Sequence, residues 1–233
     1  TVFLISAIPG TLAILVVFFA VRDTSRQRDK GEASAPSFRG FSKPLAVFTA
    51  ISAVFALANS SDAMLILRAQ DLGATPALIP LMYVIFNVVG ALFAGPFGAR
   101  SDTVGRRRLV VFGFAGYTLV YLGFALARSA ASPWLLFGLY GIPYAATEGM
   151  TRAYVCDLAE PERRGTVLGV YTFVLGLAAL PSSALAGILW DTVSHSAPFL
   201  LSAGLMGVAT VALLLAGRWL ESRSSGTCST PVS

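Results

Sequence analysis

Apolar and polar positions alternate along this chain in long blocks. Seven apolar runs can be marked, Val2 to Val21, Leu45 to Leu67, Leu78 to Phe97, Leu109 to Ala127, Trp134 to Val155, Val167 to Trp190 and Pro198 to Leu220. Each is roughly 19 to 24 residues long, the length an α-helix needs to cross about 30 Å of hydrocarbon. The pattern predicts an all-α membrane protein, a polytopic bundle of transmembrane helices. The first run is not read as a signal peptide, because it lacks a basic leader and is too long for the apolar part of one.

The polar interruptions are unequal. Asp23 to Lys43 is the one long one, rich in Ser, Gly and charge, which is the composition of a solvated linker rather than a packed element. Sorting Lys and Arg by alternate interruptions puts 15 on one side, leaving only Arg68 and Arg128 for the other. The bias of basic residues toward the cytoplasm then sets the N-terminus of the chain outside and the C-terminus inside.

Composition agrees with a bilayer: 55% of residues are hydrophobic, 12% are charged and the mean hydropathy is +0.73. The net charge of +5 does not point to nucleic acid. Its basic residues lie between apolar runs rather than on one continuous face, and there they would meet anionic lipid. Cys156 and Cys228 both fall on the inner, reducing side, so no disulfide is expected.

One interruption has an internal order. Gly98 to Arg108 reads GARSDTVGRRR, with Gly98 and Gly105 able to make tight turns and Asp102 placed where a carboxylate can cap a helix N-terminus. Gly98, Asp102, Gly105, Arg106 and Arg107 resemble the cytoplasmic loop motif of the major facilitator superfamily, with Thr103 where that family usually has a basic residue. The family carries the motif between its second and third helices, and a looser copy between its eighth and ninth. The long linker resembles the segment joining the two six-helix halves. The run Thr147 to Gly169, with Glu148, Arg152, Asp157, Arg164 and Gly165, is similar to the tenth helix and the loop after it.

The resemblance implies the second six-helix half of the fold plus the preceding helix. Residues 1–21 are then the sixth transmembrane helix, 22–44 the cytoplasmic interdomain linker, 45–220 the C-terminal six-helix bundle and 221–233 a cytoplasmic tail. The chain is expected to be a fragment whose N-terminal half, six helices of the same polypeptide, is missing. The expected location is the inner membrane. The expected function is secondary transport of a small solute by alternating access, with proton-coupled efflux ahead of uptake of a metabolite or ion.

Polar groups inside a span need a partner, a cavity or a role. In the fifth run, Tyr140, Tyr144, Thr147, Glu148, Thr151 and Arg152 fall on one stripe at 3.6 residues per turn. Tyr140, Tyr144 and Glu148 are candidates to line the substrate path, with Glu148 carrying a coupling proton. The alternative pairs Glu148 with Arg152, four residues on, or with Arg106 as part of a cytoplasmic latch. Asn59 and Asp62, three apart, are expected to share a helix face as a substrate or proton site, or else as an outer-end contact such as one to Arg68. Asn87 is read as an interhelical hydrogen bond ahead of a ligand.

Gly141 with Pro143, Gly176 with Pro181 and Gly95 with Pro96 mark places to bend or approach closely, and Gly165 with Gly169 a packing contact. Arg106 and Arg107 are expected to engage a carboxylate such as Asp157 at the gate, while Asp102 meets a helix N-terminus of the absent half. His195 is read as a solvated loop residue. No cofactor or metal is expected and no catalytic constellation is found, with no buried His, Ser-Lys dyad or phosphate loop. A seven-helix receptor or accessory protein is the competing class. Its retinal-binding branch is removed by the lack of a lysine within any run, since Lys30 and Lys43 both lie in the linker.

Overall fold

The computed structural model describes residues 42–59 and 62–224, without the side chains of Asp102 and of 218–224. They lie in one compact unit, Phe38–Ser233. The first apolar run, most of the linker and the end of the tail fall outside the described residues.

Seven α-helices account for the six later apolar runs: α1 (Lys43–Ala58), α2 (Asp62–Asp71), α3 (Ile79–Val104), α4 (Arg106–Leu126), α5 (Ser132–Leu158), α6 (Arg164–Thr192) and α7 (Ala197–Ser224). No strand occurs among the described residues. The helix starts follow local chemistry. Ser42 caps α1, its hydroxyl accepting from the Leu45 amide at 3.4 Å. Prolines fall in the first turns of α1, α3 and α5, where their missing N–H would have had no partner.

The connectors between successive spans are short. The α1–α2 pair together, α3, α4, α6 and α7 are each long and apolar enough to cross a membrane. At 27 residues α5 has the length, but it is more polar and is not among them.

That polar helix sits at the centre. It packs chiefly against α3 and α4, α4 packs against α7, and α1 packs against α6 and α7. Glycines permit the approach. A methyl group on Gly141 would come within 2.6 Å of the Phe86 carbonyl oxygen and 2.9 Å of the Gly90 amide nitrogen, so α3 and α5 touch backbone to backbone. On the other flank, a methyl on Gly113 would collide with Thr147, and one on Gly116 would meet Pro143 at 3.0 Å. Small residues at helix crossings are how membrane helices gain van der Waals contact where no hydrophobic force joins them.

The core is aromatic: Phe55 stacks on Phe114, and Tyr117, Tyr121, Phe124, Phe137, Tyr140 and Phe199 interlock beside them. Leu92, Leu119, Phe173, Leu180 and Leu215 face outward, as they should where the surroundings are lipid.

Two expectations are corrected here. GARSDTVGRRR is not a loop: Gly98 to Val104 continue α3, and Arg106 opens α4. The only residue between them is Gly105, at φ 92° and ψ 129°, a conformation costly for any side chain. Gly98 is therefore helical, and Asp102 lies in the last turn of α3 rather than at the N-cap of α4, which is Gly105. Secondly, Gly165 and Gly169 make no packing contact among the described residues. A methyl group on either, or on Gly176 or Gly95, would meet nothing within 4 Å.

Candidate functional site

The stripe on α5 divides between two environments. Tyr140 and Thr147 are buried, whereas Tyr144, Glu148 and Arg152 are exposed. The hydroxyls of Thr147 and Thr151 donate to the carbonyls four residues back, Pro143 and Thr147, both at 2.9 Å. The helix runs on through Pro143, whose ring leaves the Leu139 carbonyl without its usual N–H donor. Glu148 accepts from Arg152 at 3.2 Å, with more than half of each side chain exposed.

Beside Tyr144 and Glu148 lies a 350 Å³ cavity, also lined by Asn87, Gly90, Ala94 and Met150. Asn87 does not bridge helices. Its amide donates to the carbonyl of Tyr83 on its own helix at 2.7 Å, and its side chain borders the cavity.

Asn59 and Asp62 do not share one helix face. Helix α1 ends at Ala58 with Asn59 at its C-cap, and α2 starts at Asp62. Each is held by a different tyrosine. Tyr121 of α4 donates to Asn59 Oδ1 at 2.9 Å, and Tyr140 of α5 donates to Asp62 Oδ1 at 3.2 Å. The Tyr83 hydroxyl lies close to the same carboxylate. The buried ring of Phe86 ties this cluster to the cavity, 5.0 Å from the ring centres of both Tyr140 and Tyr144.

At the arginine-rich end, Arg106 pairs with Asp157 at 2.6 Å, joining the start of α4 to the end of α5. Arg107 crosses α7 at Gly217, where any side chain would collide with its guanidinium. Arg164 donates to the Cys156 carbonyl at 3.1 Å.

Arg68 sits at the opposite end, only 6% exposed. It pairs with Asp71 at 2.5 Å and donates to the carbonyls of Phe124 and Ala127 at the end of α4, and to the Ser196 hydroxyl. A cation at a helix C-terminus also meets the negative end of its dipole. His195 is not simply solvated: its Nδ1 lies 2.6 Å from Asp71 Oδ1 and its ring stacks on Trp190 at 4.3 Å. Arg68 does not contact Asn59 or Asp62 through any of these bonds.

Sequence reasoning missed Tyr121, Arg68 and the buried hydroxyls of Thr49 and Ser52, which have no hydrogen-bond partner among the described residues. The Asp three residues after Arg68 was a usable signal for the ion pair. Nothing in the sequence marked the two hydroxyls. No group of three or more His, Cys, Asp or Glu able to hold a metal occurs among the described residues.

The chain matches the sequence profile of the Major Facilitator Superfamily over residues 45–229. It is 36% identical over 219 residues to an uncharacterized MFS-type transporter of Methanocaldococcus jannaschii, covering 91% of this chain and 54% of that protein. It is 30% identical over 133 residues to the class C tetracycline resistance protein of Escherichia coli, covering 55% of this chain and 32% of that protein. To multidrug resistance protein 3 of Bacillus subtilis it is 26% identical over 114 residues, covering 48% and 22%. The chain thus spans about half the length, or less, of these relatives.

Proposed function

The chain belongs to the major facilitator superfamily, a family of membrane transporters, and from that premise we propose that it is the second half of a secondary carrier of a small solute. In this reading the polar face of α5 lines the path. Tyr144, Glu148 and Asn87 border the 350 Å³ cavity, while Asn59 and Asp62 are held at its approach by Tyr121 and Tyr140. The observation that carries the reading is that, among the described residues, the one long helix not apolar enough to count as a membrane span is the central one, and that it presents a carboxylate and a phenol, beside an amide of α3, to an open cleft. Polar groups presented to a cleft on a lipid-immersed bundle need water or a solute to meet them.

Alternating access then follows from rocking of this bundle against the N-terminal six-helix half. The arginine-rich end faces the cytoplasm, and the Arg106–Asp157 pair stiffens the gate there. Efflux coupled to protons is the favoured mode, supported by the relatives named for tetracycline and multidrug resistance, and the inner membrane is the proposed location. The activity is transport rather than catalysis. Reconstitution of the complete native protein in proteoliposomes, with a panel of amphipathic solutes with and without a pH gradient, tests this. Solute movement driven by the gradient is expected, and absence of movement for every solute under either condition contradicts it.

A further inference from the structure

Helices α3 and α4 both pack on α5 but touch each other little. About two turns from the Gly105 reversal on either side, the contact between them is aromatic. Phe97 of α3 and Phe112 of α4 have ring centres 5.8 Å apart, and Phe93 adds a third ring 5.8 Å from Phe97. Phe93 is 39% and Phe112 51% exposed, so these rings belong to the outer surface of the bundle rather than to its core.

Each side of this patch ends in an arginine. On α3, Phe93, Phe97 and Arg100 are spaced by four and three residues, and on α4, Arg108, Phe112 and Leu119 by four and seven, so each set shares a helix face. Arg100 and Arg108 are exposed, and neither forms an ion pair among the described residues. Their neighbours are committed elsewhere, Arg106 to Asp157 and Arg107 to the crossing with α7 at Gly217. The segment Gly98 to Arg108 carries four arginines and one acidic residue. The inward bias of basic residues treats all of these arginines alike, whereas the structure singles out two of them above an exposed aromatic floor.

We propose that Arg100 and Arg108, with Phe93, Phe97 and Phe112 beneath them, seat an anionic phospholipid of the leaflet in which this end of the bundle lies. Its phosphate faces the two guanidiniums, where charge-assisted hydrogen bonds are the strong ones, and an acyl chain runs over the rings and down α4. Arg108 to Leu119 covers about 16 Å at 1.5 Å per residue, the depth of one leaflet's hydrocarbon, half of about 30 Å. A zwitterionic lipid offers the same phosphate but brings an ammonium into a segment already in excess of positive charge. The occupied site ties the α3–α4 reversal to the membrane surface. This role is independent of the carrier reading.

Thermal unfolding of the complete native protein, delipidated in detergent, reads the site as phosphatidylglycerol is titrated against phosphatidylcholine. A lipid that binds only the folded protein raises the midpoint saturably. Phosphatidylglycerol is expected to do so at lower mole fraction than phosphatidylcholine, while glycerol 3-phosphate, the headgroup without chains, gives no protection. R100Q and R108Q are each expected to weaken that preference on the order of fivefold, and R108K to retain it. R128Q makes the same charge change at an exposed arginine of the opposite end and is expected to leave it unchanged. Equal protection by the two lipids, or full protection by glycerol 3-phosphate, overturns the site in unaltered protein. So does a preference that survives R100Q and R108Q, or one that R128Q weakens as much. Solute transport persisting in any of these cases leaves the carrier reading standing without it.

Discussion

Helices α5 and α6 are nearly equal in length, 27 and 29 residues, and opposite in almost everything else. The first is the more polar and is gripped on both flanks, by a backbone-to-backbone crossing at Gly141 and by Gly113 and Gly116 of α4 against Thr147 and Pro143. The second is strongly apolar, yet only 11% of its most apolar stretch is buried, and its Gly165, Gly169, Gly176 and Gly187 face open space. In water the apolar helix would be the one buried. In a bilayer the ordering reverses, because lipid is as good a solvent for leucine as the protein interior, whereas hydroxyls and carboxylates must find partners inside the bundle.

If that contrast is right, the largest loss of stability comes from the polar anchor rather than from any leucine. R68A removes a buried cation, leaves Asp71 only its His195 contact and strands the end carbonyls of α4. A cost of about 3–5 kcal/mol is expected, read as a lowered unfolding midpoint in detergent. Next comes G141A, where a methyl group must push apart the backbones of α3 and α5, at about 1–3 kcal/mol. Its counterpart on α6, G176A, adds a methyl in open space, so it should leave stability unchanged or raise it by up to about 1 kcal/mol through helix propensity. Equal losses from the two glycine variants would erase the contrast.

Y121F removes the hydroxyl that holds Asn59 and is expected to cost about 0.6 kcal/mol of stability, the mean for an interhelical bond in a membrane protein. D157N is likewise expected to cost little stability, because both members of the Arg106–Asp157 pair are partly exposed, at 33% and 46%, and such pairs contribute less than about 1 kcal/mol. Its effect belongs in turnover: the initial transport rate should fall while the solute concentration giving half-maximal rate stays near wild type.

The apolar runs made the helices legible to within a few residues, because length and hydropathy are what the bilayer selects. Helix faces were far less legible, since core-facing and lipid-facing positions are equally apolar and only polar residues mark a side. Asn59 and Asp62 were misassigned by assuming one continuous helix, although the Asn-Ser-Ser-Asp run joining them is rich in residues that favour caps and turns over helix interiors. Gly98 to Arg108 was misread because polarity was equated with a loop. Helices α3 and α4 carry their charged turns beyond the apolar stretch, and one glycine is enough to reverse the chain. Arg68 entered the sequence reading as a topology count and as a possible partner of Asn59 or Asp62, not as the anchor of α4. Its role as a staple depends on carbonyls 56 and 59 residues away, which no local pattern reveals.

The central claim is that the Tyr144 and Glu148 face of α5 meets water while the exposed face of α6 meets lipid. Single cysteines at Tyr144 and at Leu180, which is 71% exposed on α6, can be compared in the complete protein after replacing Cys156 and Cys228, using a membrane-impermeant maleimide on reconstituted vesicles. The account predicts rapid labelling at position 144, slowed by transported solute, and little labelling at position 180. Equal reactivity at the two positions, or labelling at 180 alone, would contradict it.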